Sequence, residues 1–210
     1  MEKLSRTMLG FFMLCLMKLS AQELETIQIG YQTWMQKNLD EERFRNGDVI
    51  PEVTNWEEWM RAGENEKPAW CYFDNDSILG QKHGKLYNWY AVMDPRGLSP
   101  VGFHVPNKDE WEILFKTFED ATLTDGIDFW LDDVQNDHKG FRAIPSGGRF
   151  HEAAVEFFYY LNIKAWWWTT SDMDKNVAYC VNYDVKYDVR IFDYYKDVGM
   201  SVRCIKDVVP

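Results

Sequence analysis

The last third of the chain alternates with a period of two. In "NVAYCVNYDV", Val177, Tyr179, Val181, Tyr183 and Val185 share one face. "VRIFDYY" follows, and in "VGMSVRCIKD" Val198, Met200, Val202 and Cys204 share a face. Side chains alternate across a strand, so successive runs of this kind predict an antiparallel meander with one apolar side. A chain that ends this way must be built round a sheet. The remaining elements have to cover it.

The clearest cover is a helix. In "GLSPVGFHVPNKDEWEIL", Pro100 and Pro106 fix φ and remove donors, so the chain before Asn107 is extended. Asn107 is an N-cap, and Glu110 three residues on completes a capping box. Trp111, Leu114, Phe115 and Phe118 then form one apolar helix face.

Further upstream, "IQIGYQTWMQKNL" reads as a hairpin that buries Trp34, Met35 and Leu39. Thr54 caps a short helix with Glu57 at the capping-box position and Gly63 as its stop, and Trp56, Trp59 and Met60 form its apolar side. "PAWCYFDND" is strand, and "GKLYNWYAV" is strand or short helix. The acidic stretch from Asp120 to Asp137 has no period and reads as a long loop. "FRAIPSGGR" reads as strand, turn, strand. From Glu152 to Tyr160 local propensity favours helix, while the aromatic and β-branched residues that follow favour strand. The fold class is α+β, with small antiparallel sheets, two short helices and long irregular loops. Aromatic residues make up 16% of the chain, and large rings are an efficient way to pin such loops.

Residues 1–21 read as a secretory signal: Lys3 and Arg6, an apolar run from Met8 to Met17, then Ser20 and Ala21. The run is short for a bilayer span, and Leu14 before Cys15 does not suit lipid attachment. Residues 22–210 would then form a single domain in an extracytoplasmic location: secreted, periplasmic or at the cell surface. The full chain carries a net charge of −11. The leader holds Lys3, Arg6 and Lys18 against Glu2, a balance of +2, so its removal leaves −13. So acidic a surface argues against nucleic acid and against anionic membranes.

Cys71, Cys180 and Cys204 remain after cleavage, and an exported chain can oxidise two of them. Cys204 lies on the apolar face of its strand, and Cys71 lies in the apolar run "AWCYF". Cys180 alternates onto the opposite face from its Tyr and Val neighbours. A Cys71–Cys204 disulfide is therefore predicted, its long loop contributing about 4–5 kcal/mol through chain entropy; a bulge would reverse the choice. The spacing of the cysteines and of the four histidines matches no zinc pattern.

Several motifs together identify a family resemblance. "IGYQTWMQKNLD", "WCYFDND", "GKLYNWYAVMDPRGLSPVGFHVPNKDEWEIL", "FRAIPSGGR", "WWWTTS" and "GMSVRCIKD" occur in that order between Ile27 and Asp207. The series resembles the Fibrobacter succinogenes major paralogous domain family. The resemblance implies a C-type-lectin-like fold, in which a helix docks beside a small antiparallel sheet and long loops hang from the scaffold. It implies exported bacterial proteins, often at the cell surface, and brings no catalytic residues. This chain departs from the pattern at Ser99, where many relatives carry Cys, and at Phe103, where Trp is common.

Candidate site residues follow from side-chain chemistry. Asp74, Asn75 and Asp76 supply oxygens on a turn, so calcium is a candidate ligand, against the plainer reading of an Asx-bonded turn. Trp166, Trp167 and Trp168 alternate in a strand, leaving one side for the core and one as a platform for sugar rings, with Trp70 beside the acidic turn as a further platform; burial of the triple is the alternative. Arg149 after Gly147-Gly148 could meet an anion, or sit in a salt bridge. A triad of Ser171, His104 and an Asp has no support in spacing, and His104 reads as a structural histidine. The acids stand in no apolar context that would mark a hydrolase pair, and Cys180 and Cys204 are not a close thiol pair. The chain reads best as an exported, non-enzymatic domain that binds a glycan or an extracellular protein through aromatic and acidic loops. The alternative is an exported enzyme acting on polysaccharide or on a protein side chain.

Overall fold

The computed structural model describes residues 24–120, 141–152, 155–184 and 188–208. The leader over residues 1–21, with Cys15, and the acidic loop beyond Asp120 lie outside the described residues. Within them the protein is α+β, mostly sheet with short helices.

The N-terminal hairpin pairs β1 (Thr26–Ile29) with β2 (Gln32–Met35), turning at Gly30 with φ 57°. Trp34, Met35 and Leu39 are buried, as the sequence predicts. The last strand, β11 (Ile205–Lys206), inserts between β2 and β5 (Phe103–His104), giving the order β1-β2-β11-β5. The two ends of the domain are thereby stitched into one sheet. A second ladder joins β3 (Trp70–Cys71) to β4 (Leu86–Tyr87).

Four α-helices occur among the described residues, against two expected. The helix α1 (Trp56–Glu64) is capped by Asn55, whose Oδ1 accepts the Glu58 N–H at 3.0 Å, one residue later than the Thr54 cap predicted. Asp76 caps α2 (Ser77–His83) and Asn88 caps α3 (Trp89–Val92); both helices are too short for a readable period. The capping box of α4 (Lys108–Asp120) is reciprocal: Glu110 N–H reaches Asn107 Oδ1 at 2.9 Å, and Asn107 N–H reaches Glu110 Oε2 at 2.8 Å. Its Trp111 and Leu114 are fully buried, worth about 1.5–3 kcal/mol for a side chain such as Leu.

The larger sheet has five strands in the order β10-β9-β8-β6-β7. They are β6 (Ser146–Glu152), β7 (Val155–Leu161), β8 (Lys164–Asp172), β9 (Val177–Asp184) and β10 (Asp188–Tyr195). Three expectations are corrected here. Of the segment from Glu152 to Tyr160, the described residues, Glu152 and Val155–Tyr160, are strand rather than helix, because β7 lines its rings up with β6, Phe157 opposite Phe150. Gly147 and Gly148 lie inside β6, not in a turn. A Cβ on Gly147 would come 2.3 Å from the Tyr159 carbonyl oxygen, so glycine is what lets β6 and β7 approach. The sheet is also not purely antiparallel: β6 meets β8 in parallel at Gly147 and Ala165.

Both faces of β8 and β9 are buried. Trp166, Trp168, Ala178 and Cys180 enter one core with Met200, Val202 and Cys204. Trp167, Val181 and Tyr183 enter another with Trp34, Trp111, Leu114 and Phe141. The second core is held by a buried cation. Arg203 lies over the rings of Phe141 and Trp167 and donates to Asn38 Oδ1 and to the carbonyls of Met35, Phe141 and Arg142. Burial pulls this guanidinium down to about 9.

Candidate functional site

The predicted site residues are mostly committed to the interior. Trp167 is fully buried, stacked on Trp111 at 5.5 Å, with its indole N–H on Asn38 Oδ1 at 2.9 Å. Trp168 is fully buried and donates to the Tyr87 carbonyl at 2.9 Å. Trp70 is buried, donates to the Ile50 carbonyl at 2.9 Å and lies under the Lys85 ammonium. None of these three rings offers a platform to a ligand. Arg149 is fully buried and spends its guanidinium on the Val53 and Thr54 carbonyls at 2.6 and 3.2 Å, over the Trp59 ring, so it is not an exposed anion hook. The physical reason is shared: both sheet faces are covered here, so alternation sends neither side to solvent.

The acidic turn builds local structure. Asp76 Oδ1 caps α2 through the Ile78 N–H, Asn75 donates to the Thr54 carbonyl, and Asp74 and Asn75 hold φ of 52° and 56°. Among the described residues no group of three or more His, Cys, Asp or Glu side chains could hold a metal. The structure does not show the predicted Cys71–Cys204 disulfide: no disulfide joins the described cysteines. Alternation along β3 puts Trp70 into the core that holds Cys204, and Cys71 into a third core with Trp59 and Phe73. Cys180, expected to point away from Cys204, shares its core because β9 is buried on both sides. Nor do Ser171 and His104 form a catalytic pair. The Ser171 hydroxyl accepts the Lys108 N–H, and both nitrogens of His104 face carboxylates.

The open chemistry lies on the outer part of the five-stranded sheet. Phe158 and Leu161 of β7 both pack inward on the third core. They are three residues apart, which regular alternation forbids. Tyr160 resolves the conflict with φ 71°, a left-handed value that costs an L-residue roughly 1–2 kcal/mol. The flip leaves two adjacent tyrosines open, Tyr159 53% and Tyr160 38% exposed. From them an unbroken chain of ring contacts crosses the sheet: Tyr159 to Tyr160 at 5.5 Å, Tyr160 to Phe150 at 6.2 Å, Phe150 to Trp166 at 5.7 Å, and Trp166 to Phe192 at 6.0 Å. Phe192 on β10 is 42% exposed. Four strand spacings of ~4.8 Å make this face about 19 Å wide.

Its rim is polar. Lys164 lies 4.9 Å over the Tyr160 ring and pairs with Asp184 at 3.1 Å, and exposed Arg190 stands opposite Asn182. Phe150 and Trp166 are the buried floor of this face, so a ligand can stack on the exposed rings of Tyr159, Tyr160 and Phe192 at its ends and exchange hydrogen bonds at its edge. Of the predicted residues only Trp166 belongs to it, as part of the floor. Tyr159, Tyr160 and Phe192 went unnoticed in the sequence; the doubled Tyr ahead of the Asn162 turn was the available signal.

This geometry and the motifs along the chain bear on descent. The sequence matches the Fibrobacter succinogenes major domain over residues 27–206. The chain belongs to that family. No curated protein and no solved structure matches it significantly. Among the described residues no helix is long and apolar enough to cross a membrane.

Proposed function

We propose that this family member is an exported, non-enzymatic binding domain that holds a glycan against the aromatic face of β7, β8 and β10, on a C-type-lectin-like scaffold. The observation that carries the proposal is the left-handed Tyr160. Backbone strain of this kind persists where the surroundings impose it, and it gathers at functional sites. Here it opens two tyrosines at once, beside the Lys164–Asp184 pair and across the sheet from Phe192. Exposed rings at the two ends of a buried aromatic floor, with a polar rim, mark an interaction surface, and the C–H faces of sugars suit such rings. The chain's net charge of −11 favours neutral saccharides over acidic ones.

The test is a panel of neutral and acidic polysaccharides, with the wild-type protein beside Phe192→Ala and Tyr159→Ala. Both rings are substantially exposed, so both variants should keep the wild-type melting temperature within a few degrees while losing retention on a neutral polysaccharide. Retention by the variants equal to wild type, or no retention of the wild type on any saccharide, rules the proposal out. Capture of a protein partner that Phe192→Ala abolishes would move the same face to protein recognition. Export is tested separately: N-terminal sequencing of secreted material should begin at or near Gln22.

A further inference from the structure

His104 has a carboxylate on each ring nitrogen. Asp207 Oδ1 lies 2.7 Å from Nδ1, and Glu110 Oε1 lies 2.8 Å from Nε2. A carboxylate only accepts, and a neutral imidazole carries a single N–H, so both contacts are hydrogen bonds only when the ring holds two protons. The three groups come from three elements: β5, the first turn of α4, and the residue after β11.

The two arms are not equally fixed. Glu110 is tied into the capping box, its Oε2 on the Asn107 N–H, and its carbonyl accepts from Gln32 of β2 at 2.8 Å. The Asp207 side chain is 47% exposed, and this residue is otherwise held by one backbone bond, its N–H to the Gly102 carbonyl at 2.9 Å. The nearby cations act elsewhere. Lys108 pairs with Glu112 at 3.4 Å, and Lys206, paired with Phe103 in the ladder, lies on the opposite face from His104. The groups that set the charge on His104 are thus Glu110 and Asp207. Burial disfavours that charge, but the two carboxylate bonds outweigh it and hold the imidazole above its ordinary value.

We propose that doubly protonated His104 is a latch that clamps the C-terminal segment Ile205–Asp207 to the start of α4, and that loss of one ring proton releases the Asp207 arm. The latch needs ionised carboxylates, which sets its lower edge near pH 4. It is complete below the unfolded imidazole value of about 6.5, and it is lost as pH rises through the raised folded value. Asp207 directly follows β11, the strand that joins β2 to β5, so the proton controls how the end of that strand is held.

The experiment is an NMR titration of the full chain, following the His104 imidazole and the Asp207 amide. His104 should titrate above the ordinary value. Across the same midpoint, the protection of the Asp207 amide, corrected for intrinsic exchange, should fall. Asp207→Asn should lower the midpoint while leaving stability at pH 9 unchanged, and His104→Gln should make the amide protection independent of pH. A His104 midpoint at or below 6.5, or amide protection that is flat through the titration of the wild type, overturns the latch.

Discussion

Replacing Tyr160 with Gly and with Ala separates strain from packing. Tyr160 is 38% exposed, so either change removes a ring that is a little over half buried, roughly 1–2 kcal/mol of packing by area. That loss is common to both variants and cancels between them. What remains is the Cβ. At φ 71° an alanine keeps the left-handed penalty of roughly 1–2 kcal/mol, which glycine does not incur. Glycine in turn loses about 0.5–1 kcal/mol more chain entropy on folding. The balance leaves Tyr160→Gly more stable than Tyr160→Ala by about 0.5–1 kcal/mol. In an ordinary strand the order is the reverse, so the sign alone is diagnostic. Urea unfolding of both variants, compared at equal m-values, measures it. An alanine variant as stable as the glycine variant, or more so, would show that the backbone at Tyr160 is unstrained and that the open tyrosine pair has no conformational cause.

Other outcomes follow from the interior. Arg203→Lys should destabilise by about 3–5 kcal/mol in urea unfolding, because Asn38 Oδ1 and three buried carbonyls lose a donor fork that one ammonium cannot replace. Cys204 is fully buried and burial raises its thiol, so thiol alkylation of the native protein should be slow, and mass mapping without reductant should find Cys204 reduced. A Cys204-containing disulfide peptide would contradict that. Asp197 raises His151 through a 3.0 Å hydrogen bond, against burial. Its contribution to stability is complete below about pH 6.5 and is lost as pH rises through the folded value, so His151→Gln should flatten the melting temperature over that range.

The sequence made some of this legible and hid the rest for physical reasons. The Asn107 and Glu110 cap is a local device, written in four residues, and it appears where expected. The hairpin round Gly30 is equally local. The faces of β8 and β9 were misread because period-two alternation tells which residues share a side, not whether the second side is covered too. That single ambiguity produced both the Trp167 platform and the outward Cys180. The burial of Arg149 was illegible because its partners are backbone carbonyls about 95 residues away, at Val53 and Thr54. The left-handed Tyr160, on which the candidate site turns, has no marker in composition; it arises only when Phe158 and Leu161 must both reach the third core.

The most direct test is a hydrogen-exchange footprint of a bound neutral oligosaccharide taken from the polysaccharide that retains the protein. Added protection is expected in residues 157–166 and 190–195, with α1 and the Asp74–Asp76 turn unchanged. Protection confined to that turn, or to the loops round α1, would place the binding face elsewhere and contradict the account.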